Sequence, residues 1–220
     1  MATSGTATFN PDVANIIEEA YERAGIEGRS GYELRSATRS LNLVLTEWSN
    51  RGVNLWTLEQ GTISLVAGDG QYDLPTDTVD LIQHSLRDLS GNDIDIRRIS
   101  VDSWASIVNK TTSGRPTQIF IERLIAPRVN LWPVPDQEYT LVYWRMRRLQ
   151  DAGTPDKTAD VPFRFIPALT SGLAYHLHCK KSVIDPQRLE MLAQRYKEDW
   201  MDATYEDRER ASFFIRPRVK

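Results

Sequence analysis

The stretch from Thr117 to Arg147 constrains the fold more than any other part of the sequence. Apolar side chains alternate at its start, where Ile119 and Ile121 share one face, and alternation returns in its last segment. Prolines break the run at Pro127 and Pro133, because proline cannot donate a hydrogen bond to a β-ladder. The last segment carries large apolar side chains on both faces, which is typical of a central strand. The sequence therefore predicts three consecutive strands in a β meander, the last of them central in its sheet and covered on both sides.

Helical periodicity occurs only before and after this β region. Asn10 suits the cap of a first helix, and Gly25 suits its end. Ser30 and Glu33 have the spacing of a capping box for a second helix, which should close near Gly52. Two amphipathic helices joined by a short loop predict a helical hairpin at the N-terminus.

Two further helical patterns follow the β region. The first runs from Pro167 to Cys179, is apolar on more than one side, and should be the most buried helix. Asp185 and Pro186 suit the start of the second, whose apolar residues keep helical spacing as far as Ala203. These helices need apolar partners, and the N-terminal hairpin offers them.

The β region also contains turn signals and a short helix. Gly68–Gly70 and Ser90–Asn92 are typical of turns between strands, and Ser100 can cap a helix. We expect the apolar residues of that helix to face inward: Val101, Trp104, Ala105 and Val108. The region would then hold about six strands, enough for a small sandwich or a barrel-like sheet.

Together these patterns predict an α+β protein with three parts. An antiparallel helical bundle, built from both chain ends, would comprise residues 1–56 and 151–210. A small antiparallel β domain would be inserted at residues 57–150, and residues 211–220 would form an extended C-terminal tail.

The composition is that of an ordinary globular protein. The chain has 220 residues, of which 40% are hydrophobic and 26% are charged, and its formal net charge is -3. Proteins that bind nucleic acid or acidic membranes usually carry an excess of Lys and Arg, which this chain lacks. Its single cysteine, Cys179, excludes an internal disulfide. We expect no secretion signal and no membrane span, because no stretch approaches the ~20 apolar residues that cross a bilayer.

The sequence contains no motif that identifies a catalytic or cofactor site. His176 and His178 lie two residues apart on a predicted helix, hence on different faces, so they cannot chelate one metal ion together. Gly68–Gly70 lacks the spacing of a phosphate-binding loop and fits a hairpin turn better. Cys179 lies in an apolar helical pattern, where an inert buried thiol is expected. We therefore predict no catalytic residue, no metal and no cofactor.

A small basic cluster at Arg145, Arg147 and Arg148, beside Trp144, is the nearest approach to a nucleic-acid patch. Three positive charges on an acidic chain are few. The favoured interpretation is the solvated end of a strand, and a nucleic-acid contact is the alternative.

The charge changes sign near the C-terminus. Residues 198–209 include six acidic side chains and one basic one, whereas residues 210–220 include four basic side chains and no acidic one. Large apolar residues lie within the basic part, and Pro217 favours an extended backbone before it. This combination predicts a docking strand that awaits a partner, and the alternative is a tail that folds back on its own core. The predicted docking residues are Arg210, Phe213, Phe214, Ile215, Arg216 and Arg218.

The order of several phrases resembles a known family. The phrases are GRPTQ from residue 114, LWPVPD from residue 131, VPFRFIPAL from residue 161 and DRERASF from residue 207. In this order they resemble the head-to-tail adaptor, or connector, proteins of tailed bacteriophages, in particular the tail-tubular-protein-A-like family of short-tailed phages. The resemblance extends over nearly the whole chain from Asn10.

The resemblance implies a structural virion protein and no enzyme. Members of that family form a ring, typically of twelve copies, beneath the portal, and the ring continues the DNA channel. It implies the portal and a nozzle or tube protein as partners, passage of duplex DNA without specific binding, and no membrane contact. The protein would be made in the host cytoplasm and located at the head-tail junction. The alternative function is a virion-associated hydrolase that acts on cell-wall polymer.

Overall fold

The chain folds into two units. The computed structural model describes residues 4–6, 8–27, 31–51, 55–180 and 184–206. The first unit, here the helical unit, is Met1–Trp56 with Leu149–Lys220, and the second, here the β unit, is Thr57–Arg148.

The described residues of these units form five α-helices and eight strands. The helices are α1 (Val13–Ala24), α2 (Gly31–Arg51), α3 (Val101–Ala105), α4 (Ile166–Cys179) and α5 (Pro186–Glu206). The strands are β1 (Leu58–Leu65), β2 (Gln71–Asp73), β3 (Thr78–Arg87), β4 (Asp93–Asp95), β5 (Arg97–Arg98), β6 (Gln118–Glu122), β7 (Arg128–Trp132) and β8 (Tyr139–Arg147). The predicted α+β class is confirmed.

The ends of α1 differ in part from the prediction. Asp12 caps the helix, because its carboxylate accepts a hydrogen bond from the backbone N–H of Asn15 at 2.8 Å. The predicted cap at Asn10 is therefore wrong by two residues. Gly25 ends the helix as predicted, with a φ of 64° that a side chain would disfavour. The predicted cap at Ser30 lies outside the described residues.

The helical unit packs around an aromatic cluster. The ring of Trp48 lies 5.6 Å from that of Phe165 and 4.9 Å from that of Trp200, centroid to centroid. The indole N–H of Trp48 donates to the hydroxyl of Tyr196 at 2.8 Å, so the buried polar atom of α2 is satisfied by α5. Residues of α1, α2, α4 and α5 all belong to this core.

Helix α4 lies at the centre of the core. Nine of its 14 residues are buried, more than in α1 or α2, as its pattern predicted. Gly172 lets α5 come close, because a β-carbon there would lie 2.8 Å from a ring carbon of Tyr196. A glycine at this position thus sets the distance between two helices.

The β unit consists of two four-stranded sheets that share one core. Their strand orders are β1-β8-β3-β4 and β2-β7-β6-β5. All pairings are antiparallel except that of β5 with β6. Strand β8 is central in its sheet, as predicted, but its cover is incomplete, since Trp144 is exposed.

The predicted β meander is wrong. Strands β6 and β7 form a hairpin, but β8 lies in the other sheet, paired with β1 from Leu58↔Met146 to Leu65↔Tyr139. The connection from Pro133 to Glu138 is too long for a tight turn, and its two prolines cannot donate to a ladder. This connection carries the chain from one sheet to the other.

The other predicted turns and the short helix of the β unit are confirmed in part. The turn at Ser90–Asn92 joins the antiparallel strands β3 and β4, as predicted. The turn at Gly68–Gly70 is not a hairpin, because β1 and the short strand β2 belong to different sheets. Ser100 caps α3, accepting from the backbone N–H of Ser103 at 3.3 Å. The predicted inward face of α3 is wrong for Val101, Ala105 and Val108, which are exposed, whereas the half-buried Trp104 stacks on the ring of Phe120 at 5.6 Å between centroids.

Candidate functional site

The predicted docking residues of the tail, from Arg210 to Arg218, lie outside the described residues. The sites that the structure does describe are an ion network in the β unit, the two histidines of α4, and two charged surfaces on the helical unit.

The ion network accounts for two of the three basic residues at the end of β8. The guanidinium of Arg145 binds Asp77 through Nη1 at 2.5 Å and Glu59 through Nη2 at 2.9 Å. The Nε–H of Arg147 donates to the other oxygen of Glu59 at 2.6 Å. Only 12% of the Arg145 side chain and 10% of the Arg147 side chain are exposed. The predicted solvated strand end is therefore wrong for both, while Arg148 is exposed.

The network shifts the pKa values of Asp77 and Arg145. The hydrogen bond from Arg145 lowers the pKa of the Asp77 carboxyl below its usual value, against the opposing effect of burial. Burial acts to lower the pKa of Arg145, but its hydrogen bonds and attraction to Asp77 and Glu59 outweigh burial and raise it. Both groups are thus held in their charged forms. Two arginines face two carboxylates, so little net charge is left for a phosphate.

The two histidines of α4 do not form a metal site. His178 is buried, its Nδ1–H donates to the carbonyl of Ala24 at 3.0 Å, and its Nε2 accepts from the N–H of Asp185 at 3.3 Å. It therefore ties together the ends of three helices. Nε2 of His176 lies 3.6 Å from a carboxylate oxygen of Glu47. Within the described ranges no group of three or more His, Cys, Asp or Glu residues is placed to hold a metal ion.

The thiol of Cys179 is exposed, so the predicted buried thiol is wrong. Cys179 is the last residue of α4, and the final turn of this helix leaves the core after His178. Its neighbour Tyr175 has a raised pKa, first because of the nearby Cys179 thiol and then because of a hydrogen bond to it.

A groove, here the α1 groove, lies in the helical unit between α1, the start of α4 and the residues before α1. It encloses about 710 Å³. Its lining combines apolar side chains, among them Phe9, Ile166 and Pro167, with the carboxylates of Glu18 and Glu22. Phe9 is 83% exposed. A surface of this composition suits a partner that is both apolar and basic.

The carboxylates of the α1 groove are not equivalent. Glu19 pairs with Arg23 one turn later, with 2.8 Å between Oε1 and Nε. Glu18 and Glu22 are exposed and have no cationic partner in the part of the chain that the structure describes. Two negative charges thus remain free at this surface.

A second surface, here the α2 stripe, follows the outer face of α2 at Tyr32, Arg35, Arg39 and Leu43. Tyr32 is 69% exposed and Leu43 is 59% exposed. Among the residues that the structure describes, neither arginine has an anionic partner. Burial lowers the pKa of nearby Lys180, and the charge of Arg39 lowers it further. The α2 stripe therefore carries uncompensated positive charge between exposed apolar side chains.

The α1 groove and the α2 stripe were not predicted from the sequence, although the sequence does show the charges that they carry. The exposed side of the first predicted helix carries glutamates, among them Glu18 and Glu22, and that of the second carries Arg35 and Arg39. What the sequence does not give is which of these charges are paired within the subunit.

No helix among the described residues has the length and apolarity that would allow it to span a bilayer.

Two uncompensated surfaces of opposite charge on one helical unit are typical of a protein that assembles with other proteins. The model of one protein family, described as SU10 adaptor protein, matches residues 11–218. The chain therefore belongs to this family. It is a structural head-to-tail adaptor protein of phage-like particles, and the resemblance of its sequence phrases to head-to-tail adaptor proteins is confirmed.

The chain is also similar to one solved structure at low sequence identity. A chain in a solved structure described as the neck of an empty GTA particle, computed with C6 symmetry, is 13% identical. The match covers 86% of this chain and 92% of that chain, with a TM-score of 0.27. No curated protein matches the sequence.

Proposed function

We propose that this protein forms a ring of twelve copies beneath the portal of a phage-like particle and continues the DNA channel from the head into the tail. The observation that carries the proposal is the family match, which extends from residue 11 to residue 218 and so includes both units. In this proposal the helical unit is an antiparallel bundle, and the β unit is a module inserted in it.

The ring would join two partners. Its upper partner is the portal, and its lower partner is the next tail component, a nozzle or tube protein. Its place is the head-tail junction of the virion, after synthesis in the host cytoplasm. We assign it no catalytic role and no membrane contact, because the role of an adaptor is to hold other proteins in register.

The neutralised arginines of the β unit support passage of duplex DNA without specific binding. Each exposed Lys or Arg that meets a phosphate adds a salt-dependent attraction, which would retard a moving duplex. Arg145 and Arg147 are already bound by Glu59 and Asp77. They are therefore poor phosphate ligands.

The tail supplies the contact with the portal in this proposal. Burial of Phe213, Phe214 and Ile215 could contribute roughly 1.5–3 kcal/mol each, and their neighbours Arg216 and Arg218 could select acidic or carbonyl groups. Arg210 would lie at the start of this contact. Because every copy in the ring makes the same contact, modest affinity for each copy suffices.

The test is a chain that ends at Arg210. We expect its melting temperature to stay within about 2 °C of the full-length value, because a docking strand adds nothing to the subunit's own core. We expect its binding to purified portal, measured by sedimentation and electron microscopy, to be lost.

A full-length variant with Phe213, Phe214 and Ile215 all replaced by serine is the matched control. It keeps the length and charge of the tail and should lose portal binding as the truncated chain does. Assembly of the truncated chain on the portal would show that the tail is not the docking element. Its unfolding would show that these side chains belong to the subunit's core.

A further inference from the structure

We infer that the α1 groove of one subunit receives the α2 stripe of the next copy, and that this contact closes the ring. The inference rests on the proposed ring and adds which two surfaces of the subunit meet. Both surfaces belong to the helical unit.

The signs of the free charges decide how two copies can pair. The α1 groove presents Glu18 and Glu22, and the α2 stripe presents Arg35 and Arg39, all without partners of opposite charge among the described residues. A two-fold dimer that placed either surface against its own copy would bring like charges together. Opposite charges pair when the groove of one copy meets the stripe of the next, and because the two surfaces face different sides of the subunit, that contact is head-to-tail. Head-to-tail contacts are those that generate rings.

The spacing of the charges also matches. Glu18 and Glu22 are four residues apart on α1, and Arg35 and Arg39 are four residues apart on α2. On each helix this separation corresponds to about 6 Å along the axis, with both side chains on one face. Two ion pairs can therefore form together when the helices lie side by side.

Apolar contacts accompany the charges on both surfaces. Tyr32 and Leu43 flank the arginines of the α2 stripe, and the span between them is roughly 16 Å at 1.5 Å per residue. The α1 groove offers Phe9 and Ile166 for them to cover. Exposed ion pairs alone contribute little, so the apolar burial would supply most of the affinity and the charges the register.

The two surfaces lie on different sides of the subunit, as a head-to-tail contact requires. On α1, Glu18 and Glu22 point outward and line the groove, and both also border the hollow between α1 and Leu34 of α2. On α2, the stripe lies on the exposed side, roughly opposite the buried Leu41. The stripe therefore faces away from the core that α1 and α2 share. One subunit can then engage a neighbour at each side.

Charge reversal tests this contact. The groove variant is Glu18→Lys with Glu22→Lys, and the stripe variant is Arg35→Glu with Arg39→Glu. The combined variant carries all four changes. Each protein is mixed with purified portal, and native mass spectrometry counts the subunits bound per portal. Thermal unfolding verifies that each variant is folded.

We expect the groove variant and the stripe variant each to lose ring formation by about tenfold in apparent affinity, because two attractions become repulsions. The combined variant should recover it, since both surfaces are then reversed. A one-to-one mixture of the two single-surface variants should also recover it, because an alternating ring with an even number of copies pairs only opposite charges.

A variant with Glu190→Lys and Asp202→Lys on α5 is the control for the groove variant. It makes the same change of net charge at two other exposed positions and should leave ring formation unchanged. Loss of ring formation in this control as well would attribute the effect to net charge and overturn the inference. Unchanged ring formation in the groove and stripe variants would overturn it too.

Failure of this contact and failure of the ring itself give different results. If the unmodified protein forms no ring on the portal, the proposed function itself fails. If the stripe variant forms rings but binds duplex DNA more weakly than the unmodified protein, the α2 stripe is a phosphate-binding surface and the inference is wrong.

Discussion

Arg145 has no acidic neighbour in the sequence, yet in the fold its charge is paired with two carboxylates. Its two carboxylate partners, Asp77 and Glu59, are 68 and 86 residues away along the chain. Since the guanidinium is largely buried and the carboxylates are about half exposed, most of the desolvation falls on the arginine. Its removal would leave two carboxylates close together.

We expect Arg145→Met to lower the free energy of unfolding by about 1–3 kcal/mol, the range of charged hydrogen bonds that lose one partner. The matched control is Arg128→Met, which breaks the exposed pair between Arg128 and Asp73 at 2.8 Å. That change should cost less than about 1 kcal/mol. Urea unfolding of both variants measures the difference, and equal losses would mean that the network adds no more than a surface pair.

The same contact sets an acid dependence. The pKa of Asp77 is lowered in the folded state from its usual 3.8. Its contribution to stability is therefore fully present above about pH 4 and is lost as the pH falls through the folded-state pKa. Arg145→Met should flatten this part of the stability curve, because the hydrogen bond that lowers the pKa is removed.

Among the secondary-structure elements, the close approach of α4 and α5 depends on Gly172. Alanine is ordinarily the better helix former, by up to ~1 kcal/mol. At position 172 the methyl group of an alanine would lie 2.8 Å from a ring carbon of Tyr196. The hydroxyl of this tyrosine also accepts the hydrogen bond from Trp48. Steric conflict should outweigh helix propensity.

We expect Gly172→Ala to destabilise the protein by about 1–3 kcal/mol, as overpacking of a well-filled core does. Gly31→Ala in α2 is the control, because a β-carbon there meets no atom within 4 Å. Thermal unfolding and near-ultraviolet circular dichroism of the tryptophans would measure both effects. A stabilised Gly172→Ala protein would mean that α5 can move away from α4 at no cost.

The elements themselves could be predicted well, because their signals are local. Apolar spacing located the four long helices, and Gly25 ended α1 as expected. Strand partners could not be predicted, since β8 pairs with β1, which lies far away in the sequence. The exposure of Cys179 was missed for a related reason: helical spacing does not tell where a helix leaves the core.

At the scale of the whole molecule, the net charge of -3 and the neutralised Arg145 and Arg147 favour weak binding to DNA. We expect the free protein to bind duplex DNA with a Kd weaker than about 10⁻⁵ M at physiological salt, within or beyond the usual range of non-specific binding. Fluorescence anisotropy over a range of salt concentrations measures this Kd. Tight binding that is abolished by neutralising Arg145, Arg147 and Arg148 would contradict the expectation and support the nucleic-acid interpretation.

The pairing of β1 with β8 has a consequence for the order of folding. The helical unit is made from two stretches of chain separated by the whole of Thr57–Arg148. Because Leu58 pairs with Met146, the completed ladder brings the two ends of this insertion side by side. Closing an unstructured loop of that length costs roughly 3 kcal/mol more than closing a loop of a few residues. A β unit that folds first therefore holds the two stretches of the helical unit close together. The entropic cost of closing this loop is then met before the last helix is synthesised.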